Sequence, residues 1–125
     1  MKDLLSKLTK IRLACGDNFS IWSGNDDMTV PAMSLGAKGV ISVVSNVCPL
    51  ETRLMTEAAL KGDFDSASAL QLHLQPLTEL LFSSVNPIPV KTAMRLIGYD
   101  CGGCRLPLTN LSKDLRDQLA NLLNK

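Results

Sequence analysis

The chain has 125 residues, carries 13 Lys and Arg against 12 Asp and Glu, and is 46% hydrophobic. This length suits one domain with a real core and is too short for two typical domains. The formal net charge of +1 gives no electrostatic footprint for nucleic acid or an anionic membrane, and no apolar run approaches the roughly 20 residues that span a bilayer. We therefore predict a packed aliphatic protein that binds neither nucleic acid nor membrane.

Residues 3–14 have the spacing of an amphipathic helix, which Gly16 would end. Charged residues interrupt the N-terminus every few positions, so the sequence lacks the apolar core of a signal peptide. We expect a cytoplasmic protein with reduced thiols.

Two short apolar runs indicate β-strands. Gly39–Val44 holds four β-branched apolar residues and no charge, which is typical of a strand buried on both faces. Phe19–Ser23 forms a second strand-like run, and Asn25–Gly36 between them has helical length with a glycine stop. The pattern predicts a βαβ unit with adjacent parallel strands and a right-handed crossover, with Ile41 buried.

The carboxyl ends of these two strands are candidate ligand-facing loops. Ser23–Asp27 follows the first strand and Ser45–Pro49 follows the second. Ligands of parallel α/β proteins bind at such edges. The same small and polar residues also suit ordinary turns that lead into helix N-caps. Local sequence leaves both interpretations open.

The chain beyond the second strand is predicted to be helical. The helical runs are Glu51–Leu60, Asp65–Phe82, Val90–Gly98 and Lys113–Leu123. Pro76 should kink or split the second run near Gln75, and Ser112 should cap the last. We divide the chain into an α/β part, residues 1–62, and a helical part, residues 63–125. Two parallel strands are too few for a stable sheet, so residues 1–62 resemble a piece of a larger one.

Cys101 and Cys104 form a CxxC motif whose spacing suits a zinc site or a redox pair. Zinc needs two further ligands, and the other cysteines and His73 show no second paired spacing. The motif follows a helix and has two glycines at its centre, so a turn is the favoured interpretation. A structural role is favoured for His73, and we predict neither a metal site nor a cofactor.

Several separated motifs resemble one family. They are Gly24-Asn25-Asp26, Leu35–Val43, Asn46, Asn86–Lys91 (NPIPVK), Gly98 and Arg105–Leu108 (RLPL). In this order and spacing they resemble the 4-hydroxy-tetrahydrodipicolinate synthases, also called dihydrodipicolinate synthases, over essentially the whole chain. Related pyruvate aldolases such as N-acetylneuraminate lyase share the GVISV strand in looser form.

The resemblance implies a fold and an activity. Members have a TIM (β/α)8 barrel followed by a C-terminal helical domain and form homotetramers. They condense pyruvate with aspartate semialdehyde in lysine, or diaminopimelate, biosynthesis. This chain would then be an α/β C-terminal fragment with barrel strands seven and eight, their helices and the helical domain. We expect a homo-oligomer.

The resemblance also implies which residues this chain lacks. The family is a class I aldolase in which a lysine at the end of the sixth strand forms a Schiff base with pyruvate, and a tyrosine shuttles protons. Both belong to strands before this chain, and Lys38, Lys91 and Tyr99 do not match them. We therefore expect no catalytic residue here and an inactive chain when it is alone, which leaves its status as an enzyme uncertain.

Three residues match substrate-binding positions of the family. Ile41 matches a position whose backbone contacts bound pyruvate, and Gly24 and Asp26 match the loop beside the substrate pocket after the seventh strand. The family often has Asp where this chain has Asn25. Cys101 and Cys104 match no family site.

The sequence leaves three explanations for the length of the chain. It is a truncated product, a piece that assembles with another chain, or a non-catalytic interaction protein. In the last case residues 63–125 would serve as a helical interaction module. A fragment of a related pyruvate aldolase is a further alternative.

Overall fold

The structure is a computed structural model that describes residues 2–124, and helices dominate it. In chain order these are α1 (Lys2–Cys15), α2 (Thr29–Ser34), α3 (Pro49–Leu60), α4 (Phe64–Leu81), α5 (Ile88–Leu96) and α6 (Lys113–Leu123). Single 3-10 turns at Asp26–Met28 and Val44–Asn46 precede α2 and α3. The predicted helices are confirmed in number and order, with ends shifted by a few residues.

The two predicted strands pair in parallel, as expected, but only briefly. Ser23 and Val40 form a parallel bridge. The Ser23 N–H donates to the Gly39 carbonyl at 2.9 Å, and the Ile41 N–H donates to the Ser23 carbonyl at 2.8 Å. Within residues 2–124 no longer strand forms, so the predictions of full strands over Phe19–Ser23 and Gly39–Val44 are wrong.

The second extended segment stops at Ile41 because the next backbone donors are used elsewhere. The N–H groups of Val43 and Val44 donate to the Asp26 carboxylate instead of a neighbouring strand. Val44 then opens a 3-10 turn and is buried, whereas the Ile41 side chain is 72% exposed. The predictions of a strand buried on both faces and of a buried Ile41 are wrong, since no described residue covers Ile41.

The helix boundaries follow local chemistry. Helix α2 is shorter than the predicted run Asn25–Gly36 because its first residues form a 3-10 turn and Gly36, at φ +94°, ends it. Helix α4 runs through Pro76 without interruption, so the predicted split near Gln75 does not occur. The packing of its buried face holds the helix together on both sides of the proline.

The helix α6 has the predicted N-cap. The Ser112 hydroxyl accepts the Leu115 N–H at 3.5 Å. Asp63 caps α4 in the same way, accepting the Ser66 N–H at 3.1 Å. Both side chains occupy backbone donors that the first helical turn leaves without an intrahelical partner.

The core draws on both predicted parts of the chain. Helices α3 and α4 pack against each other, with Met55 on α3 and Leu81 on α4 almost fully buried. Leu119 brings α6 onto the same cluster of buried residues, and Leu8 brings α1. The division into residues 1–62 and 63–125 stays a prediction. No helix of the described chain is both long and apolar enough to cross a membrane.

Candidate functional site

Asp26 lies at the centre of a buried polar network. Its side chain is only 4% exposed, and its carboxylate accepts three hydrogen bonds. The Ser42 hydroxyl donates to one oxygen, and the N–H groups of Val43 and Val44 donate to the other at 2.9 and 3.2 Å. This network joins the carboxyl ends of the two extended segments.

The turn after the second segment is held from within. The Ser45 N–H donates to the Ser42 hydroxyl oxygen at 2.8 Å, while that hydroxyl donates to Asp26. The Asn46 side-chain amide donates to the Val43 carbonyl at 3.0 Å. Because Ser42 both donates and accepts, it transmits the position of Asp26 to the backbone of the turn.

Gln71, on α4, holds the turn after the first segment and the start of α2. Its amide nitrogen donates to the Asp26 backbone carbonyl at 2.8 Å, and its amide oxygen accepts the Val30 N–H at 3.1 Å. The side chain is buried, and its role is not among those predicted from the sequence. The available signal was its position three residues before Leu74, on the apolar face of α4, where a buried amide requires partners.

Gly24 and Ile41 lie at the open edge above this network. Ser23 and Val40 are paired in the parallel bridge, and Gly24 and Ile41 are the residues that follow them. The Ile41 N–H donates to the Ser23 carbonyl. Gly24 is exposed and borders a cleft of about 230 Å³, whose other wall is α1 with Leu4, Leu8 and Ile11.

The structure thus brings Gly24, Asp26 and Ile41 to one edge in two different environments. Gly24 and Ile41 are exposed, whereas both oxygens of the buried Asp26 carboxylate accept hydrogen bonds within the protein. A role for all three in substrate binding stays a prediction. The contacts of Asp26 indicate that it positions the turn at Val43 and Val44.

Trp22 packs across Gly39 beside this edge. A Cβ atom built on Gly39 would lie 2.8 Å from the Trp22 ring, so only glycine fits there without displacement. The ring is nevertheless 54% exposed.

Arg12 of α1 fixes the start of the first segment. Its guanidinium donates to the carbonyls of Gly16 and Phe19 at 3.4 and 3.3 Å and pairs with the Asp17 carboxylate at 3.1 Å. Helix α1 is thereby tied to the chain that leads into the edge.

The other candidate residues, all within the described part of the chain, take no part in the hydrogen bonds of the Asp26 carboxylate. His73 is exposed on α4, and the Lys91 ammonium group donates to the Gly103 carbonyl at 2.7 Å. Cys101 and Cys104 lie in a loop without regular secondary structure. Among residues 2–124 no three His, Cys, Asp or Glu side chains gather where they could hold a metal ion.

A family model described as the dihydrodipicolinate synthetase family matches residues 1–125. The chain belongs to this family. It is 46% identical over 119 residues to the 4-hydroxy-tetrahydrodipicolinate synthase of Thermoanaerobacter sp. strain X514. The aligned residues make up 95% of this chain and 40% of that enzyme. The synthase of Methanococcus vannielii is also 46% identical, over 96% of this chain and 41% of its own length. The chain therefore spans about two-fifths of these relatives, and the resemblance inferred from its motifs is confirmed.

Solved structures of the same family share the backbone. The crystal structure of dihydrodipicolinate synthase from Aquifex aeolicus superposes with a TM-score of 0.93 at 42% identity, over 96% of this chain and 41% of the other. A structure described as the first monomeric dihydrodipicolinate synthase variant matches 99% of this chain and 41% of its own, with a TM-score of 0.91 at 35% identity. The arrangement of α1–α6 and the two extended segments is thus that of a family member.

Proposed function

We propose that this chain supplies the C-terminal part of a 4-hydroxy-tetrahydrodipicolinate synthase. In this role it would contribute one edge of the substrate pocket to an enzyme that condenses pyruvate with aspartate semialdehyde for lysine biosynthesis. The observation that carries the proposal is the Asp26 network, which sets the loop of Gly24 beside the backbone of Ile41 in a chain of this family.

The proposed division of labour follows from the residues of the edge. Gly24 and Ile41 would contact a small oxoacid at the exposed edge. Asp26 holds the two turns together, and Gln71 holds the Asp26 turn against α4. The Schiff-base lysine and the proton-shuttling tyrosine of the family would come from polypeptide outside residues 1–125. We also propose that the two extended segments become strands seven and eight of a barrel when that polypeptide pairs with them.

The positions of Lys38 and Lys91 support this division. Lys38 precedes the second segment, where its backbone N–H donates to the Ile21 carbonyl, and Lys91 is hydrogen bonded to the loop at Gly103. Neither is placed after the end of an extended segment, as an imine-forming lysine of the family is. We therefore expect no adduct on Lys38 or Lys91 when the chain is treated with pyruvate and borohydride and examined by mass spectrometry.

A chimeric enzyme tests the proposal. The C-terminal part of the Thermoanaerobacter synthase that matches this chain is replaced by residues 1–125, and condensation of pyruvate with aspartate semialdehyde is measured. We expect activity in the chimera and none in the remaining Thermoanaerobacter segment or in this chain alone. The proposal would be refuted by a folded chimera with two properties. It does not condense the substrates, and pyruvate with borohydride forms no adduct on the Schiff-base lysine of the Thermoanaerobacter segment.

The assembly of the complete enzyme is a separate proposal. The family resemblance favours a homo-oligomer of the tetrameric kind, yet one similar structure is described as a monomeric variant. Light scattering on the active chimera distinguishes the two, since a tetramer has four times the mass of a monomer.

A further inference from the structure

The CxxC motif lies in an exposed loop that the proposed function does not use. The loop joins α5 to α6, and no helix or strand forms between residues 99 and 112. Cys101 is exposed, Cys104 is half-buried, and both are free thiols. Cys101 is therefore the thiol that a reagent from solution would meet first.

Lys91 fastens this loop to α5 at two points. Its ammonium group donates to the Gly103 carbonyl at 2.7 Å, and its backbone carbonyl accepts the Cys101 S–H at 3.5 Å. A third contact shapes the loop itself, because the Gly102 N–H donates to the Asp100 carboxylate at 3.0 Å. Two residues of the motif are thus held against one lysine, and Cys104 follows immediately.

The residues between the two cysteines can adjust to a covalent link. A disulfide requires Cα atoms about 4.4–6.8 Å apart and a defined torsion about the S–S bond. Gly102 already has φ +67°, and a Cβ built on Gly102 or Gly103 meets no atom within 4 Å. Neither glycine has a side chain that opposes a change in backbone conformation, and closing the bond would act against the hydrogen bonds of Gly102 to Asp100 and of Gly103 to Lys91.

We propose that Cys101 and Cys104 form a reversible intrachain disulfide with low-molecular-mass disulfides such as glutathione disulfide as oxidant. One cysteine thiolate attacks the oxidant, forms a mixed disulfide and releases one glutathione thiolate. The other cysteine, as thiolate, attacks the protein sulfur of that mixed disulfide, closes the ring and releases the second glutathione. The protein loses two protons and two electrons, and one glutathione disulfide becomes two glutathione thiols.

The disulfide is expected to be easily reduced. The ring that it closes contains only four residues, so it gains little from restricting the unfolded chain. Exposed disulfides of this kind exchange readily with thiols, in contrast to buried structural ones. The bond would therefore report the thiol–disulfide balance around the protein.

Formation of the disulfide would alter a cleft that borders the candidate site. Cys101 lines a cleft of about 360 Å³ together with Val43 and Asn46 of the turn held by Asp26, and with Lys91 of α5. Disulfide formation removes the S–H donor of the Lys91 carbonyl and shifts Cys101 toward Cys104. One wall of the cleft beside the turn is thereby altered. This inference is independent of the proposed catalytic function.

The experiment uses the C15S/C48S variant, which keeps only the two thiols of the motif. The variant is equilibrated with mixtures of reduced and oxidised glutathione, treated with N-ethylmaleimide and digested with trypsin. Cleavage after Arg95 and Arg105 places both cysteines on the single peptide Leu96–Arg105. We expect this peptide to lose two hydrogen atoms and to escape alkylation as the oxidised fraction rises, and dithiothreitol to restore both thiols.

The matched control is the C15S/C48S/C104S variant, in which Cys101 has no partner and should carry glutathione instead. Alkylation of both cysteines at every ratio would overturn the proposal, as would two glutathione adducts on one peptide or a disulfide between two chains. If the variant does not fold, the unsubstituted chain is used, and the state of Cys101 and Cys104 is read from the same tryptic peptide. Cys48 of that chain reacts slowly, because burial and, to a smaller extent, the Glu51 carboxylate raise the pKa of that thiol.

Discussion

The Asp26 carboxylate accepts the backbone N–H of Val43 at 2.9 Å and so fastens the turn after the first extended segment to the turn after the second. These residues are 17 positions apart in the chain, and between them lie α2 and the segment that ends at Ile41. The geometry of the candidate edge therefore depends on one buried carboxylate.

Replacing this carboxylate should destabilise the protein. Asp26→Ala leaves the N–H groups of Val43 and Val44 and the Ser42 hydroxyl without their acceptor, and each unsatisfied buried group costs about 1–3 kcal/mol. We expect the free energy of unfolding in urea to fall by roughly 3 kcal/mol or more. The exposed neighbour Asp27 provides the control, since Asp27→Ala should change the free energy of unfolding by less than about 0.5 kcal/mol. Equal effects of the two variants would contradict the role assigned to Asp26.

The sequence predicted the helices because each carries a local signal. Leu74, Leu77 and Leu81 line the buried side of α4, and Ser112 caps α6 through the atoms immediately beside it. The strand predictions were wrong because Val40 and Ile41 have strand-like composition, whereas the length of a strand depends on its partners, and here the Val43 and Val44 N–H groups are bonded to Asp26. The links of Asp26 to Val43 and of Gln71 to the Asp26 carbonyl join distant positions, and no local pattern encodes them.

Gln71 should be needed for stability even though it lies far from any reacting group. Gln71→Met keeps the size of the side chain but removes the acceptor of the buried Val30 N–H. It also removes one donor to the Asp26 carbonyl, which still accepts from Thr29. The expected loss is about 2 kcal/mol in the free energy of unfolding. Gln75→Met serves as control, because the Gln75 side-chain amide donates to the Glu79 carboxylate at the exposed surface of the same helix. A stable Gln71→Met variant would show that the amide network is dispensable.

Gly39 should tolerate no side chain while Trp22 keeps its place. The Cβ of Gly39→Ala would lie 2.8 Å from the indole ring, at φ +156°, so the ring must move or the backbone must shift. Since Trp22 is the only tryptophan, its fluorescence emission should change together with a loss of stability. Gly24→Ala is the matched control, because a Cβ there meets no atom within 4 Å. Unchanged emission in Gly39→Ala would refute the contact.

The cap of α4 should make part of the stability dependent on pH. Hydrogen bonds from the Ser66 side chain and, second, from its N–H lower the pKa of Asp63 in the folded protein. A lowered folded pKa contributes stability that is present above the unfolded pKa, near 3.9, and is lost as the pH falls through the folded pKa.

We therefore expect the wild-type chain to exceed Asp63→Asn in stability at neutral pH and the difference to shrink in acid. Thermal unfolding at a series of pH values measures it. Ser66→Ala removes the larger cause of the pKa shift and keeps the backbone donor, so its dependence on pH should be weaker than that of the wild type. A difference that is constant from neutral to acidic pH would contradict the assignment.

The chain purified by itself should self-associate through the open edge. Ile41 and Trp22 are 72% and 54% exposed there, beside an extended segment that pairs with only one neighbour among the described residues. A few hundred Å² of apolar surface left in water forgoes several kcal/mol at about 25 cal/mol per Å², comparable with the stability of a small domain. Light scattering over a concentration series should show a rising mass. Ile41→Lys should reduce the association, whereas Leu72→Lys, at a position equally exposed on α4, should not. A cooperatively melting monomer at every concentration would show that the edge needs no partner.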